Sequence, residues 1–281
     1  MAAATVTVNR ELPALRRRAS SVRRLTATPA LALLGLGLVV GVWALVASVS
    51  NPTKIPSVGA VLSALKADWH AIPAVDYIYF RVIGIGSALQ YTAENVLFGV
   101  AVGTAAGLPL GIVMARIRGA RLVLDPPLLL LGTIPLLVLL PFITFWFGTA
   151  RLAQSGLVVL FALLTVTIAT QSAAMVVSDR YAHFAACLGA SPARVLRTIV
   201  LPAAMPDAVG AIRVALAAGW GWEVVVENLG AHQGLGLVIS VTSQLDDTPS
   251  LLAGVLALTL AAVIADGIVA AVGAVLIRWK E

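Results

Sequence analysis

The chain has 281 residues, 60% hydrophobic and 11% charged, with a formal net charge of +6. Soluble domains carry about 25% charged residues, so this composition excludes a fully water-exposed surface. Several apolar runs reach the ~18–20 residues that cross a bilayer. The basic excess is read as the orienting charge of membrane helices, not as a nucleic-acid footprint. One cysteine, Cys187, excludes an internal disulfide. No zinc spacing surrounds it, and it is expected to be buried or at an interface.

Arg16, Arg17, Arg18, Arg23 and Arg24 precede an apolar run from Pro29 to Ala47. The run is too long for a secretory signal core, and no small-x-small cleavage site follows. Residues 1–28 are therefore read as a basic cytoplasmic tail, disordered before Arg24, ahead of an uncleaved first helix. Six spans are expected, at 29–49, 91–115, 125–146, 154–177, 208–228 and 251–277. After the first, Val58, Val61, Leu62, Leu65 and Trp69 recur at helical spacing and predict a short helix on the outer surface. The second span carries Gly99, Gly103, Gly107 and Gly111 four residues apart, a stripe that lets another helix approach closely. Pro126, Pro127, Pro135 and Pro141 interrupt the third. Membrane prolines are tolerated where neighbouring protein re-satisfies freed carbonyls, so this span is expected inside the bundle.

Orientation follows from the basic residues. With the N-terminus in the cytoplasm, the inside segments hold Arg10 and the five arginines above. They also hold Arg116, Arg118, Arg121, Arg180, Arg194, Arg197, Arg278 and Lys280. The outside segments hold only Lys54, Lys66, Arg81 and Arg151, so both termini are expected in the cytoplasm. The expected organisation is a tail (1–28), a first helix with an outer-surface segment (29–90), and a core transmembrane domain (91–281).

The inside loop 178–206 reads as helix, turn, helix. Ser178 or Asp179 caps a helix running to Leu188, and Gly189 supplies the left-handed turn. Ser191 caps a second helix with Pro192 in its first position, and Pro202 is expected to stop it. Phe184, Ala185, Leu188, Val195, Leu196 and Ile199 need apolar contacts. The membrane domain can cover part of that surface, and the rest offers a knob to a soluble partner.

The pattern A-x-x-L-G-A-S-P-x-x-V-L-R-x-I-V-L-P-x-A-x-P in this loop resembles the cytoplasmic coupling loop of bacterial ABC-importer permeases. The likeness is strongest to the taurine, sulfonate, nitrate and bicarbonate branch. Further ordered matches are Ile55-Pro56-Ser57, Ile134-Pro135 through Phe145-Trp146-Phe147-Gly148, Ala211-Ile212-Arg213-Val214-Ala215, and Glu227 followed by Gly234-Leu235-Gly236. Two positions depart: His183 stands where the family has Glu, and Asn95 where it has Arg. The resemblance implies an all-α integral membrane protein with the type I importer permease fold and a cytoplasmic coupling helix. It implies a multi-pass protein of the bacterial cell membrane, a second permease chain forming a homodimer, a pair of ABC ATPase subunits and an extracytoplasmic substrate-binding protein. His183, Phe184, Ala185, Leu188, Gly189, Ala190, Ser191, Pro192, Leu201 and Pro202 carry over as ATPase-coupling residues. No G-x-x-x-x-G-K-[ST] phosphate loop is present. ATP and Mg are therefore expected on the partner ATPase, with no cofactor in this chain.

Charge inside a membrane is costly and usually faces a cavity or a partner. Glu223 and Glu227, one turn apart in the fifth span, are candidates for a polar pathway lining or a paired structural role. Trp220 and Trp222 line a cavity or anchor at the interface. Gln171 and Thr167 are further pathway candidates, Arg213 anchors the inner end of its span, and Asp266 is expected to be paired. No catalytic constellation or metal cluster is evident, which argues against a membrane-embedded enzyme. A permease for an osmolyte or amino acid is a second reading. A gradient-driven secondary transporter is a third, although no internal repeats are seen.

Overall fold

All described secondary structure is helical. The computed structural model describes residues 29–148, 154–177, 181, 183–229 and 232–277. The basic tail, the Ser178 and Asp179 caps, Arg151, Arg180, Arg278 and Lys280 lie outside the described residues. In chain order the helices are α1 (Pro29–Val49), α2 (Val58–Ala67), α3 (Pro73–Tyr79), α4 (Ile85–Arg116), α5 (Arg118–Thr133), α6 (Leu136–Phe147) and α7 (Gly156–Val177). There follow α8 (His183–Cys187), α9 (Pro192–Val195), a π-helical turn (Leu196–Val200), α10 (Leu201–Asn228), α11 (Leu235–Gln244) and α12 (Thr248–Leu276).

The chain divides into two units, Met1–Ala60 and Val61–Glu281. The first contains α1, whose leucines are exposed, as suits a helix solvated by lipid. From within α1 the Trp43 indole donates to the carbonyl of Pro56, beyond the helix's end, at 3.1 Å. Residues 61–90, grouped with the first helix in the sequence reading, belong to the second unit. Backbone bonds hold them there: Ile85 N–H donates to Asp68 O and Gly86 N–H to Trp69 O, each at 2.9 Å. The Ser250 hydroxyl of α12 donates to the Asp68 carboxylate at 2.6 Å.

Among the described residues, five helices are long and apolar enough to cross a membrane, and six if one bent pair counts as a span. In the second unit α4 and α7 form the tightest pair. Their contact is the glycine stripe. A Cβ on Gly99 would stand 2.7 Å from Val158 Cβ, one on Gly103 2.6 Å from Ala162 Cβ, and one on Gly111 2.7 Å from Thr167 O. Such approach is possible only without side chains. Val96, Val100, Val158, Leu216 and Trp220 fill the space where α10 lies against that pair. Gly103→Ala is therefore expected to force α4 and α7 apart and cost ~1–3 kcal/mol by overpacking. Thermal unfolding in detergent reads this, with Gly35→Ala in α1, where a Cβ meets nothing within 4 Å, as the silent control.

Three expectations change. The third span is two helices, α5 and α6, bent by 93° at Ile134–Pro135. A residue before proline is driven from the α region, and Ile134 sits at φ −72°, ψ 125°. This span does not lie inside the bundle, since Leu129, Leu130, Phe142, Phe145 and Trp146 are exposed. The single chain leaves its apolar face to lipid or to another subunit. Pro202 also fails to stop the second loop helix, because α9, the π turn and α10 run on as one helix from Pro192 to Asn228. The π turn is the reason: Leu201 N–H bonds Leu196 O, five residues back. That wider turn makes room for a proline ring that would otherwise strike the carbonyl four residues before it. The connection between the last two spans is itself structured. It contains α11, whose Leu235, Leu237, Val238 and Val241 are buried.

Candidate functional site

Two features stand out, one at each end of the continuous helix Pro192–Asn228. The first is the elbow before it. Helix α8 ends at Cys187, Gly189 takes φ +80°, and Ala190 N–H reaches back to Ala185 O at 3.0 Å. This is a Schellman closure, in which a left-handed glycine lets a later amide satisfy an orphan carbonyl. Ser191 then caps α9, its hydroxyl accepting from Arg194 N–H at 3.4 Å, with Pro192 in the first helical turn. The elbow sorts its apolar side chains into two sets. Ala185, Ala190, Leu196 and Ile199 pack on Ala173, Ala174, Val195, Val200 and Ala204. Phe184 and Leu188 point outward, 74% and 88% exposed. Cys187 is exposed beside them, so of its two expected placements, burial and an interface, the single chain does not show burial. The side chain of His183 lies outside the described residues.

The second feature is a polar knot beneath α11. Glu227 and Glu223 are fully buried. The Thr92 hydroxyl of α4 lies 2.8 and 2.9 Å from the two Glu227 oxygens, and Gly236 N–H donates to Glu227 Oε2 at 2.9 Å. Leu235 N–H donates to Thr92 Oγ1, also at 2.9 Å. One carboxylate and one hydroxyl thus take up amides from the first turn of α11, where the helix leaves its N–H groups without partners. Gly234 is required beside them, for it holds φ +103° and any Cβ would strike the Glu227 carboxylate. One turn earlier, Asn95 Nδ2 donates to Glu223 Oε1 at 2.7 Å.

The other candidates separate. Trp220 is buried in the core where α10 meets α4 and α7. Trp222 is partly buried, its ring 6.3 Å from that of Phe161. Thr167 is covered beneath the glycines of α4, whereas Gln171 is partly exposed and donates to Asp125 at 3.0 Å. Arg213 and Asp266 pair with each other through two 2.7 Å bonds that tie α10 to α12. Reversing both charges, Arg213→Asp with Asp266→Arg, is expected to restore a thermal midpoint that either reversal alone lowers. Sequence reading passed over Thr92, which lies two helical turns before Gly99 on the same face. A seven-residue step back from Gly99 along that face reaches it, whereas the four-residue repeat leads to Asn95 and Tyr91.

Residues 107–277, which include the elbow and Glu227, match the family described as binding-protein-dependent transport system inner membrane component. The chain belongs to that family. This permease is 28% identical over 193 residues to the Bacillus subtilis protein SsuC, whose name assigns it to aliphatic sulfonates transport; the match covers 69% of this chain and 70% of that one. It is 32% identical to the taurine transport system permease protein TauC of Escherichia coli, over 53% of this chain and 54% of TauC. Its fold is similar to that of the methionine ABC transporter MetNI in an inward-facing crystal form, with TM-score 0.55 and 20% identity. That match covers 68% of this chain and 94% of the other. The permease is thus a multi-pass membrane protein and a transport subunit of a binding-protein-dependent system.

Proposed function

We propose that two copies of this permease form the pathway of an ATP-driven importer for a small sulfonate or a similar anion or zwitterion. A pair of soluble ABC ATPases engages the elbows, and an extracytoplasmic binding protein delivers the solute. Both termini lie in the cytoplasm in this reading, which the distribution of lysine and arginine supports. The observation that carries this reading is the elbow, where Gly189 holds Phe184 and Leu188 outward. Two large apolar side chains on a short, capped knob suit a groove in a soluble partner. ATP and Mg are bound by that partner.

The helix Pro192–Asn228 joins the elbow to the carboxylate knot. At 1.5 Å per residue it spans about 55 Å. A push on the elbow therefore moves the base of α10, and at its far end the Glu227–Thr92 latch carries the motion to α11. The substrate class rests on the names of SsuC and TauC. The methionine transporter shares the fold alone at 20% identity and gives no support to an amino-acid cargo.

The test is uptake of labelled taurine into proteoliposomes holding the permease, its ATPase and its binding protein. Uptake that needs both internal ATP and the binding protein supports the proposal. Import of an amino acid or betaine in place of sulfonates under those conditions would favour the osmolyte or amino-acid reading.

A further inference from the structure

We propose that the cleft beside the elbow is a binding site for an anionic phospholipid, with one acyl chain in the cleft and the headgroup at Arg197 and Arg116. The cleft measures about 370 Å³ and lies between α4, α7 and α10. Ile112 and Val113 form one wall, Leu201, Met205 and Ala208 the other, and Thr170 lies in the lining. Thr170 is the one polar side chain there, and its hydroxyl is covered, so the open surface is apolar. A cleft of this kind offers nothing to a sulfonate or another polar solute, whereas a hydrocarbon chain fills it at no cost in hydrogen bonds. Its volume falls within the range of ligand pockets.

Charge decides which lipid. Arg116 follows Ile112 by four residues on α4, and Arg197 precedes Leu201 by four on the far wall. Residues four apart share an α-helix face, so Arg116 lies at the elbow end of the α4 wall, and Arg197, exposed in the π turn before Leu201, lies at the same end of the other. Arg118 and Arg194, both exposed, lie close by in sequence at the same end. Asp207, exposed on α10, is the acidic residue nearest in sequence to the wall residues, and Asp125 is engaged by Gln171. Basic residues around an apolar gap between membrane helices suit an anionic headgroup. The site also bears on coupling. Ile112 and Ala204 belong both to the cleft lining and to the apolar cluster that seats Ala185 and Ala190 of the elbow. A lipid chain in the cleft buttresses that seat.

The test uses the full chain, delipidated in mild detergent, titrated with dioleoyl phosphatidylglycerol and separately with dioleoyl phosphatidylethanolamine, and followed by native mass spectrometry. Phosphatidylglycerol is expected to bind the more tightly. Val113→Trp and Met205→Trp, at two partly or fully exposed positions on opposite walls, are each expected to block it. Arg197→Gln is expected to lower phosphatidylglycerol affinity about fivefold, as for one basic residue near an anionic surface, and to leave phosphatidylethanolamine unchanged. Equal binding of the two lipids by the wild-type chain would overturn the proposal. So would the absence of lipid binding, or undiminished phosphatidylglycerol binding in both tryptophan variants with normal thermal midpoints.

Discussion

Gly234→Ala is expected to lower the thermal midpoint sharply and to abolish transport. Gly234 sits at φ +103°, ψ 168°, a region open to glycine almost alone, where a side chain costs ~1–3 kcal/mol. The new methyl would also occupy the place of the Glu227 carboxylate. Glu227 would have to leave Gly236 N–H and Thr92, and each buried polar group stripped of its partner costs a further ~1–3 kcal/mol. Variants of Glu227 separate the two causes. Glu227→Ala removes the acceptor but not the backbone freedom, and is expected to lose stability by the second amount alone. Glu227→Gln keeps an oxygen for Gly236 and offers its amide N–H to Thr92, which then donates to Ala88 O, 3.1 Å away. It is expected to stay close to wild type in stability. A Glu227→Ala protein with an unchanged midpoint would show that the knot does not hold α11.

The second large effect belongs to the elbow and spares the fold. Phe184→Asp and Leu188→Asp alter side chains that touch little in the single chain, so the midpoint is expected to move by no more than ~0.5 kcal/mol equivalent. Binding of the ATPase is another matter. Loss of an apolar anchor at the centre of an interface costs ~2 kcal/mol or more, about 30-fold in affinity. ATPase binding to the detergent-solubilised permease, followed by interferometry, is expected to weaken at least that far in either variant. Binding at wild-type strength by both would remove Phe184 and Leu188 from the contact.

The local rules of the elbow were legible from residue identity. Glycine at the left-handed turn, serine at the cap and proline in the next position each answer a backbone requirement within a few residues, and Gly189, Ser191 and Pro192 meet them. The glycine stripe was equally plain, because four-residue spacing fixes a helix face before any partner is known. Features that depend on distant residues were not visible. Nothing near Pro202 announces that a π turn will carry the helix through it. The bond of Glu227 to Thr92 joins residues 135 apart. The exposure of α5 and α6 follows from what a single chain leaves uncovered, which its prolines do not encode. Trp220 likewise carried an interfacial signature, but the packing of α4, α7 and α10 buries it.

This permease is expected to work through a separate ATPase held at the elbow. Purification of the tagged full-length chain in mild detergent, beside a Gly189→Val form, tests it most directly. Valine at φ +80° is strained, and it misaims Phe184 and Leu188 without touching them. A stoichiometric soluble subunit carrying a phosphate-loop motif is expected with the wild-type chain, and its loss from the variant. A chain that purifies alone and moves solute in vesicles without ATP would contradict it.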